Sequence, residues 1–501
     1  MGAAHTIGVK GAAAVEAPEL VRLVEQAKLD PGPPDDEPLY AARRHVYAQS
    51  VQGTFRRIKW TLLLFTLGVY YLLPFVRWDR GPNAPSQAVL IDFPNRRFYF
   101  FFIEIWPQEI YYLTGLLIVA AMTLFLMNAV AGRIWCGYLC PQTVWTDLFF
   151  AIERFFEGDR REHMLADRKK LTLKTAASKI GKHITWLGVA WWTGGAWVLY
   201  FADAPTLVRE LATGEAPFIA YAWIAILTLT TYVFAGWMRE QVCLYMCPWP
   251  RIQAALTDEY ALNVTYRYDR GEPRCSVKKS ELLRSQGAKA GDCVDCQQCV
   301  HVCPTGVDIR GGANLGCIQC GLCIDACDAI MRKLGRATGL IGYETEMNIQ
   351  RRLKGEPAIY RLVRARTVIY AAIIFITGGI MAYALGTRDY TGVSVIHDRN
   401  PVYVRLADGA IRNAYTIRLL NKEQEPRAFM LSVAGIGQYD LEIIGEPGRE
   451  ILVGPDQTRA VRALVTTREK LAPGARLNLQ FVIIDSHSGE RTETHDHFVG
   501  P

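Results

Sequence analysis

Eight cysteines fall into two runs of a single spacing. Cys293, Cys296, Cys299 and Cys303 are followed by Pro304, and Cys317, Cys320, Cys323 and Cys327 repeat the same intervals. A cubane needs four thiolates at its iron corners. Three cysteines spaced three apart wrap a tight loop around three corners, and a remote cysteine closes the fourth. In two-cluster ferredoxins that fourth ligand comes from the other motif. The pattern therefore assigns Cys293, Cys296, Cys299 and Cys327 to one [4Fe–4S] cluster, and Cys317, Cys320, Cys323 and Cys303 to a second. Zinc also uses Cys-x2-Cys pairs, but two successive four-cysteine runs favour iron–sulfur. Asp328 follows Cys327 where proline follows Cys303; the ligand is intact, and one sulfur is expected to be differently hydrogen-bonded.

Four more thiols form a second repeat. Cys136-Gly-Tyr-Leu-Cys140-Pro141 and Cys243-Leu-Tyr-Met-Cys247-Pro248 each follow an apolar run, and Arg133 and Arg239 precede them. On a helix, an i, i+4 spacing puts both sulfurs on one face, and the following proline is expected to end the helix there. Brought together, two such faces would make a four-thiolate site beside the cluster domain. Thiolates select soft ions such as Cu(I), and Met238 and Met246 are candidate thioether ligands. The plain alternative is small apolar residues packed at helix ends, since free cysteine buries readily. Repetition of the whole motif favours a site.

Other candidates are weaker. Cys275 stands alone in a polar linker after Gly271-Glu272-Pro273-Arg274 and is read without a metal role. His495, Asp496 and His497 with His487 offer metal ligands, yet fit an exposed strand end better. His301 is expected to face solvent. Asp308 and Arg310 either brace the loop between the cluster motifs or are surface charges. All 13 cysteines lie between Cys136 and Cys327, which reads as metal ligands on the reducing side of a membrane rather than as a disulfide framework. The net charge of +7 is modest, and nucleic acid is not expected as a partner.

These thiols need a membrane domain to position them. Half of the 501 residues are hydrophobic, and they concentrate in five runs of about 18 or more apolar-dominated residues: approximately 60–76, 110–131, 183–201, 217–237 and 367–385. Residues 98–105 are an interfacial candidate. Residues 143–156, with Val144, Trp145, Phe149, Ile152, Phe155 and Phe156, suit either an amphipathic surface helix or a continuation of the second span. The basic connection holding Arg160, Arg161, Arg168, Lys169, Lys170 and Lys174, and Arg361, Arg364 and Arg366 before the last span, put the N-terminus and 238–366 in the cytoplasm. Arg77, Arg80, Arg96 and Arg97, on the outer side, run mildly against this rule. Residues 1–58, above all 30–38, are expected to be largely disordered, and no signal peptide is read.

Beyond about residue 390 the pattern changes. Short alternating stretches at 402–406, 415–420, 429–433, 460–465 and 477–484 are separated by turn signals such as Asp408-Gly409 and Pro473-Gly474. They suggest an antiparallel, immunoglobulin-like β-sandwich without an inter-sheet disulfide.

The stretch CVHVCPTGVDIRGGANLGCIQCGLCIDACDAIM, the motifs WCGYLCPQ and CLYMCPW, the RYDRGEPR segment and LADGAIRNAYTIRLLNK resemble the cytochrome c oxidase accessory protein family called CcoG, FixG or RdxA. The resemblance runs from about Leu39 to Pro501. It implies a multi-domain membrane protein of the bacterial inner membrane with about five transmembrane α-helices: a cytoplasmic tail over 1–58, a four-helix membrane domain with both CxxxCP motifs over 59–250, and a cytoplasmic two-[4Fe–4S] ferredoxin domain over 251–365. A fifth helix over 366–387 and a periplasmic immunoglobulin-like domain over 388–501 complete it. It further implies reduction of Cu(II) to Cu(I) during assembly of cbb(3)-type oxidase, with Cys136, Cys140, Cys243 and Cys247 as the copper-handling, catalytic thiols. A copper transporter or chaperone, oxidase assembly proteins, an unidentified electron donor, membrane lipid and a second copy of the chain are the partners this suggests. Cys275 and the terminal His-x-His lie outside the family pattern. Two other readings stand beside it: a quinol-linked electron conduit, which resembles the membrane ferredoxins of nitrate and nitrous oxide respiration, and a redox-sensing assembly scaffold.

Overall fold

The computed structural model describes residues 45–501 except 82–83, 389–390, 424, 436, 447, 449, 456 and 470. Of the residues 1–58 expected to be largely disordered, 1–44 lie outside the described residues, while 54–58 are helical and correct that expectation. From residue 45 the chain runs without regular structure to Gly53 and is helical from Thr54, so the helix starts before the apolar run and carries Arg56, Arg57 and Lys59 on its first turns.

Backbone polar groups in a bilayer must be satisfied internally, which makes each apolar run a helix. Among the described residues, four helices are long and apolar enough to cross a membrane: Thr54–Phe75, Tyr111–Ala131, Phe218–Met238 and Ala365–Gly386. The third expected run lies on a 26-residue helix, Leu173–Val198, which Lys174, Lys179, Lys182 and His183 make less apolar than the others. We label the helices used below α1 (Thr54–Leu72), α2 (Tyr111–Ala131), α3 (Ile134–Tyr138), α4 (Pro141–Glu157), α5 (Leu173–Val198), α6 (Phe218–Thr231), α7 (Trp249–Leu256), α8 (Leu322–Lys333) and α9 (Ala365–Gly386). Helix α9 packs along α2 at Gly115, where any Cβ would collide with the Met381 side chain. Helix α5 packs on both α4 and α6.

Residues 143–156 do not continue the second span. Gly132, with φ 54°, stops α2, and α4 buries Val144, Phe149 and Phe150 together with Asp147 and Glu153. Phe149 stacks on Trp186 of α5 at 5.3 Å. Carboxylates on both flanks of the helix are buried against cations, while Phe155 is left exposed. Residues 98–105 belong to a small antiparallel sheet of β1 (Val89–Asp92), β2 (Arg97–Phe100) and β3 (Ile103–Ile105).

The two cysteine runs lie between β4 (Asn263–Tyr266) and β5 (Ile341–Glu344), which pair antiparallel and so close the ferredoxin unit. Its core holds Val264, Tyr266, Ile309, Ile324, Met331, Leu340 and Ile341. Asp325 of α8 accepts the backbone N–H groups of Phe55, at 3.2 Å, and Arg56, at 2.8 Å. It thereby satisfies orphan donors at the start of the first span.

The C-terminal sandwich has one sheet ordered β10-β12-β8-β6 with β7 on β8, and another ordered β11-β9-β13-β14. Here β6 is Thr391–His397, β7 Val404–Arg405, β8 Ile411–Asn421, β9 Arg427–Gly435, β10 Asp440–Ile443, β11 Glu450–Val453, β12 Gln457–Thr467, β13 Arg476–Asp485 and β14 Arg491–Val499. Alternation along β8 puts Tyr415, Ile417 and Leu419 in the core with Phe429, Phe481 and Phe498.

Candidate functional site

Around the first cysteine run, Cys293, Cys296 and Cys299 act on Cys327. Burial first, then these neighbours, pushes the Cys327 thiol up to about 12. Around the second, burial likewise pushes Cys317 up to about 12; the Gln319 N–H opposes this, and Cys320 and Cys303 add to it. Cys323, deeply buried, is pushed well up and feels Cys320, Cys317, Cys303 and Cys299 in turn. The fold thus brings Cys327 near 293/296/299 and Cys303 near 317/320/323. Buried sulfurs this crowded carry thiolate charge only around a cation, and four such donors per group suit an iron cubane.

The backbone supplies the tuning contacts. The Val307 N–H donates to Cys303 Sγ at 3.3 Å, and Thr305 Oγ1 lies 3.3 Å from the same sulfur. Asp328, next to Cys327, accepts the Gly339 N–H at 2.7 Å; its carboxylate pins the chain after α8. Arg310 bonds Asp308 at 2.7 Å and also Asp295 in the first motif, with its side chain only 7% exposed. The pair braces the loop between motifs. His301 is half-buried, not solvent-facing. Its carbonyl accepts the Gln49 N–H at 2.8 Å, so the N-terminal segment lies over it. Cys275 reaches the region through its backbone alone, its N–H donating to the Cys293 carbonyl at 3.4 Å. On β14, His495 and His497 are exposed, and His487 sits past the far end of β13. Among the described residues these histidines and Asp496 form no three-ligand group.

The CxxxCP motifs share one backbone path, and it differs from a helix ended by proline. Cys136 sits on the short α3, while Cys140 is extended (φ −61°, ψ 126°) and Pro141 begins α4. Cys243 sits on a single π-turn, Val242–Met246, Cys247 is extended (φ −78°, ψ 122°), and Pro248 leads into α7. Proline has no N–H to lose at a helix start, so each motif is a hinge between two helices. Four residues before each first cysteine the chain takes a left-handed step, at Gly132 (φ 54°) and at Arg239 (φ 44°). Glycine does this without strain; arginine does not, and Arg239 is held there by its side chain. Its guanidinium, 4% exposed, pairs with Glu153 at 2.8 Å, lies over Phe150 and Trp186, and donates to the Gly236 carbonyl at 2.7 Å.

The four thiols lie near enough to influence one another, although among the described residues no three of them bring their sulfurs within 4.8 Å of one another. Burial, then Cys140, raises Cys136 to about 12; Arg133 opposes, and Cys243 and Cys247 add to the rise. Burial, then Cys140, Cys247 and Glu240, raises Cys243 to about 12. Met246 is exposed. The site abuts the second cysteine run: the Tyr138 hydroxyl donates to the Cys320 carbonyl at 3.0 Å, and Arg133 donates to the carbonyls of Leu315 and Cys317. A Cβ on Gly137 would stand 2.8 Å from the Ile318 carbonyl oxygen, so only glycine admits this approach. Cys136 packs in one cluster with Ile318 and Cys320. Asp147, Glu153 and Asp325 escaped sequence reasoning, because a lone carboxylate on an apolar helix announces nothing until its cation is known.

Residues 238–346 match the family model described as a 4Fe-4S dicluster domain, 113–158 match a 4Fe-4S binding domain, and 381–501 match the IG-like fold at the C-terminal of FixG. The chain is 45% identical over 485 residues to the nitrogen fixation protein FixG of Rhizobium meliloti, covering 91% of this chain and 92% of that protein. It is 47% identical over 459 residues to protein RdxA of Cereibacter sphaeroides, covering 91% and 96%. The crystal structure of a FixG-related protein from Vibrio parahaemolyticus aligns at 24% identity and TM-score 0.20, over 22% of this chain and 96% of that one. Matching across nine-tenths of its length, with ferredoxin ligands, membrane helices and the C-terminal sandwich all present, the chain belongs to the FixG/RdxA family and is an iron–sulfur electron-transfer protein of the membrane.

Proposed function

We propose that the chain reduces Cu(II) to Cu(I) at Cys136, Cys140, Cys243 and Cys247, with the copper destined for a cbb(3)-type oxidase under assembly. The carrying observation is that these thiols lie near one another beside the loop of Cys317, Cys320 and Cys323, with Cys136 packed against Cys320. In this reading Cys293, Cys296, Cys299 and Cys327 hold one cluster, and Cys317, Cys320, Cys323 and Cys303 the other. When bound, the clusters supply single electrons at potentials set by their surroundings. One electron per copper ion balances the reaction, drawn from a donor at the exposed Cys296 side. The protein's own part is to strip water from the ion and offer soft donors. Burial disfavours the doubly charged ion more than the singly charged one, and thiolates prefer Cu(I). The thiols lose their protons as the ion binds. The ferredoxin unit faces the cytoplasm and the sandwich the periplasm, where it would meet oxidase assembly partners.

A second reading makes the four thiols the seat of a third iron–sulfur cluster. The match of 113–158 to a 4Fe-4S binding domain favours it, since Cys136 and Cys140 are the thiols in that segment. One experiment separates the two. Anaerobically reduced protein is mixed with Cu(II) while iron–sulfur EPR and Cu(I) chelation are followed, for wild type and for serine at the four positions. Cluster reoxidation matched by Cu(I), abolished by serine with iron content unchanged, supports copper reduction. Reduced clusters persisting beside untouched Cu(II) overturn it, and iron lost on serine substitution favours the third cluster.

A further inference from the structure

A cleft of about 760 Å³ opens where the first span meets the ferredoxin unit. Its walls are the segment 48–53, the first turns of α1 with Arg56, Arg57 and Trp60, and the face of α4 carrying Asp147, Phe150 and Arg154. Its floor is Val302, Pro304 and Leu322. Arg56 is neutralised: it bonds both Asp147 oxygens at 2.9 Å and lies over the Trp60 ring. Lys59 adds a second cation 3.7 Å from the same carboxylate. Among the described residues neither Arg57 nor Arg154 has an ion pair, and the lining itself carries three arginines against one aspartate, with Asp159 close by on Ser50. Burial, then the neighbouring Arg56, pulls the Arg154 guanidinium down, and the carboxylates of Asp147, Asp159 and Glu153 only partly oppose this.

We propose that this cleft binds a phosphate ester, presented by the headgroup of an anionic phospholipid from the leaflet that α1 enters, with Arg57 and Arg154 as its charged contacts. Three features favour a lipid source. The cleft lies at the end of a spanning helix, its wall carries a tryptophan of the kind that sits at headgroup level, and basic pockets beside transmembrane helices take anionic headgroups. Arginine's fork suits phosphate oxygens. The floor residues flank Cys303 and Cys323, so a headgroup held here would tie the ferredoxin unit to the bilayer surface. This site does not depend on the copper reading.

The full chain with its clusters is delipidated and placed in phosphatidylcholine nanodiscs with or without phosphatidylglycerol, and retained lipid is counted by native mass spectrometry. Arg154→Gln and Arg57→Gln are compared with wild type and with Arg251→Gln, an exposed arginine on α7. Cluster absorbance reports folding. Phosphatidylglycerol affinity is expected to fall about fivefold for each of the two cleft changes and to hold in Arg251→Gln. Glycerol 3-phosphate binding that requires the same arginines, without phosphatidylglycerol retention, keeps the phosphate site and assigns it to a soluble ester. Equal retention in all four proteins, with no glycerol 3-phosphate bound, overturns the proposal.

Discussion

The Tyr138 hydroxyl donates to the backbone carbonyl of Cys320 across 3.0 Å. One residue lies inside the first CxxxCP motif and the other inside the second cluster motif. The bond links the first CxxxCP motif directly to the backbone of a cluster ligand. Tyr138→Phe keeps the ring and deletes the bridge. A neutral hydrogen bond is worth about 1 kcal/mol, so copper reduction should slow about fivefold if that loss reaches the barrier. Iron content should not change; an unchanged rate in stopped-flow would show the contact to be purely structural.

Arg239 occupies a strained backbone position that Glu153 stabilises. Both are nearly excluded from solvent, with side chains 4% and 5% exposed, and Glu153 also faces Lys182 at 4.0 Å and His163 at 3.8 Å. Glu153→Gln leaves buried cations without their carboxylate, which costs on the order of 3 kcal/mol. Thermal unfolding of the purified protein should shift down accordingly. Copper retention should fall more than iron retention, because the left-handed step at Arg239 sets the path to Cys243.

The crossed ligand sets have a spectroscopic signature. Cys327→Ala and Cys296→Ala should abolish the same EPR signal, while Cys303→Ala and Cys317→Ala abolish the other. Each change should remove about four of roughly eight irons. If Cys303→Ala instead matched Cys296→Ala, the ligands would be uncrossed.

Glu157 gives the acid limb of stability. Burial raises its carboxyl, but hydrogen bonds from His163 and Lys182 outweigh it and hold the group at about 2, against 4.5 in the unfolded chain. The folded state therefore binds this proton less readily. The stabilisation is complete above about pH 4.5 and is lost as pH falls toward about 2. Glu157→Gln should flatten stability against pH in that window, read by denaturant midpoints; an unaltered acid limb would move the effect to another carboxylate.

The sequence alone determined whatever is encoded by local spacing. The x2, x2, x3 cysteine intervals pointed to the cluster ligands, because a tight loop must present sulfurs at that period. The apolar runs named the spans, and alternation along segments such as 415–420 named the sandwich. It also pointed to Cys136, Cys140, Cys243 and Cys247, through repetition. Only the tertiary structure decided that the four thiols lie near one another, that Pro141 and Pro248 lead into helices, and that α4 buries Asp147 and Glu153. The same holds for Asp325 at the start of α1 and Glu153 beneath Arg239. Those contacts join residues far apart in the chain. No local period records them, and they form because a buried charge or an orphan N–H must find its partner wherever packing brings one.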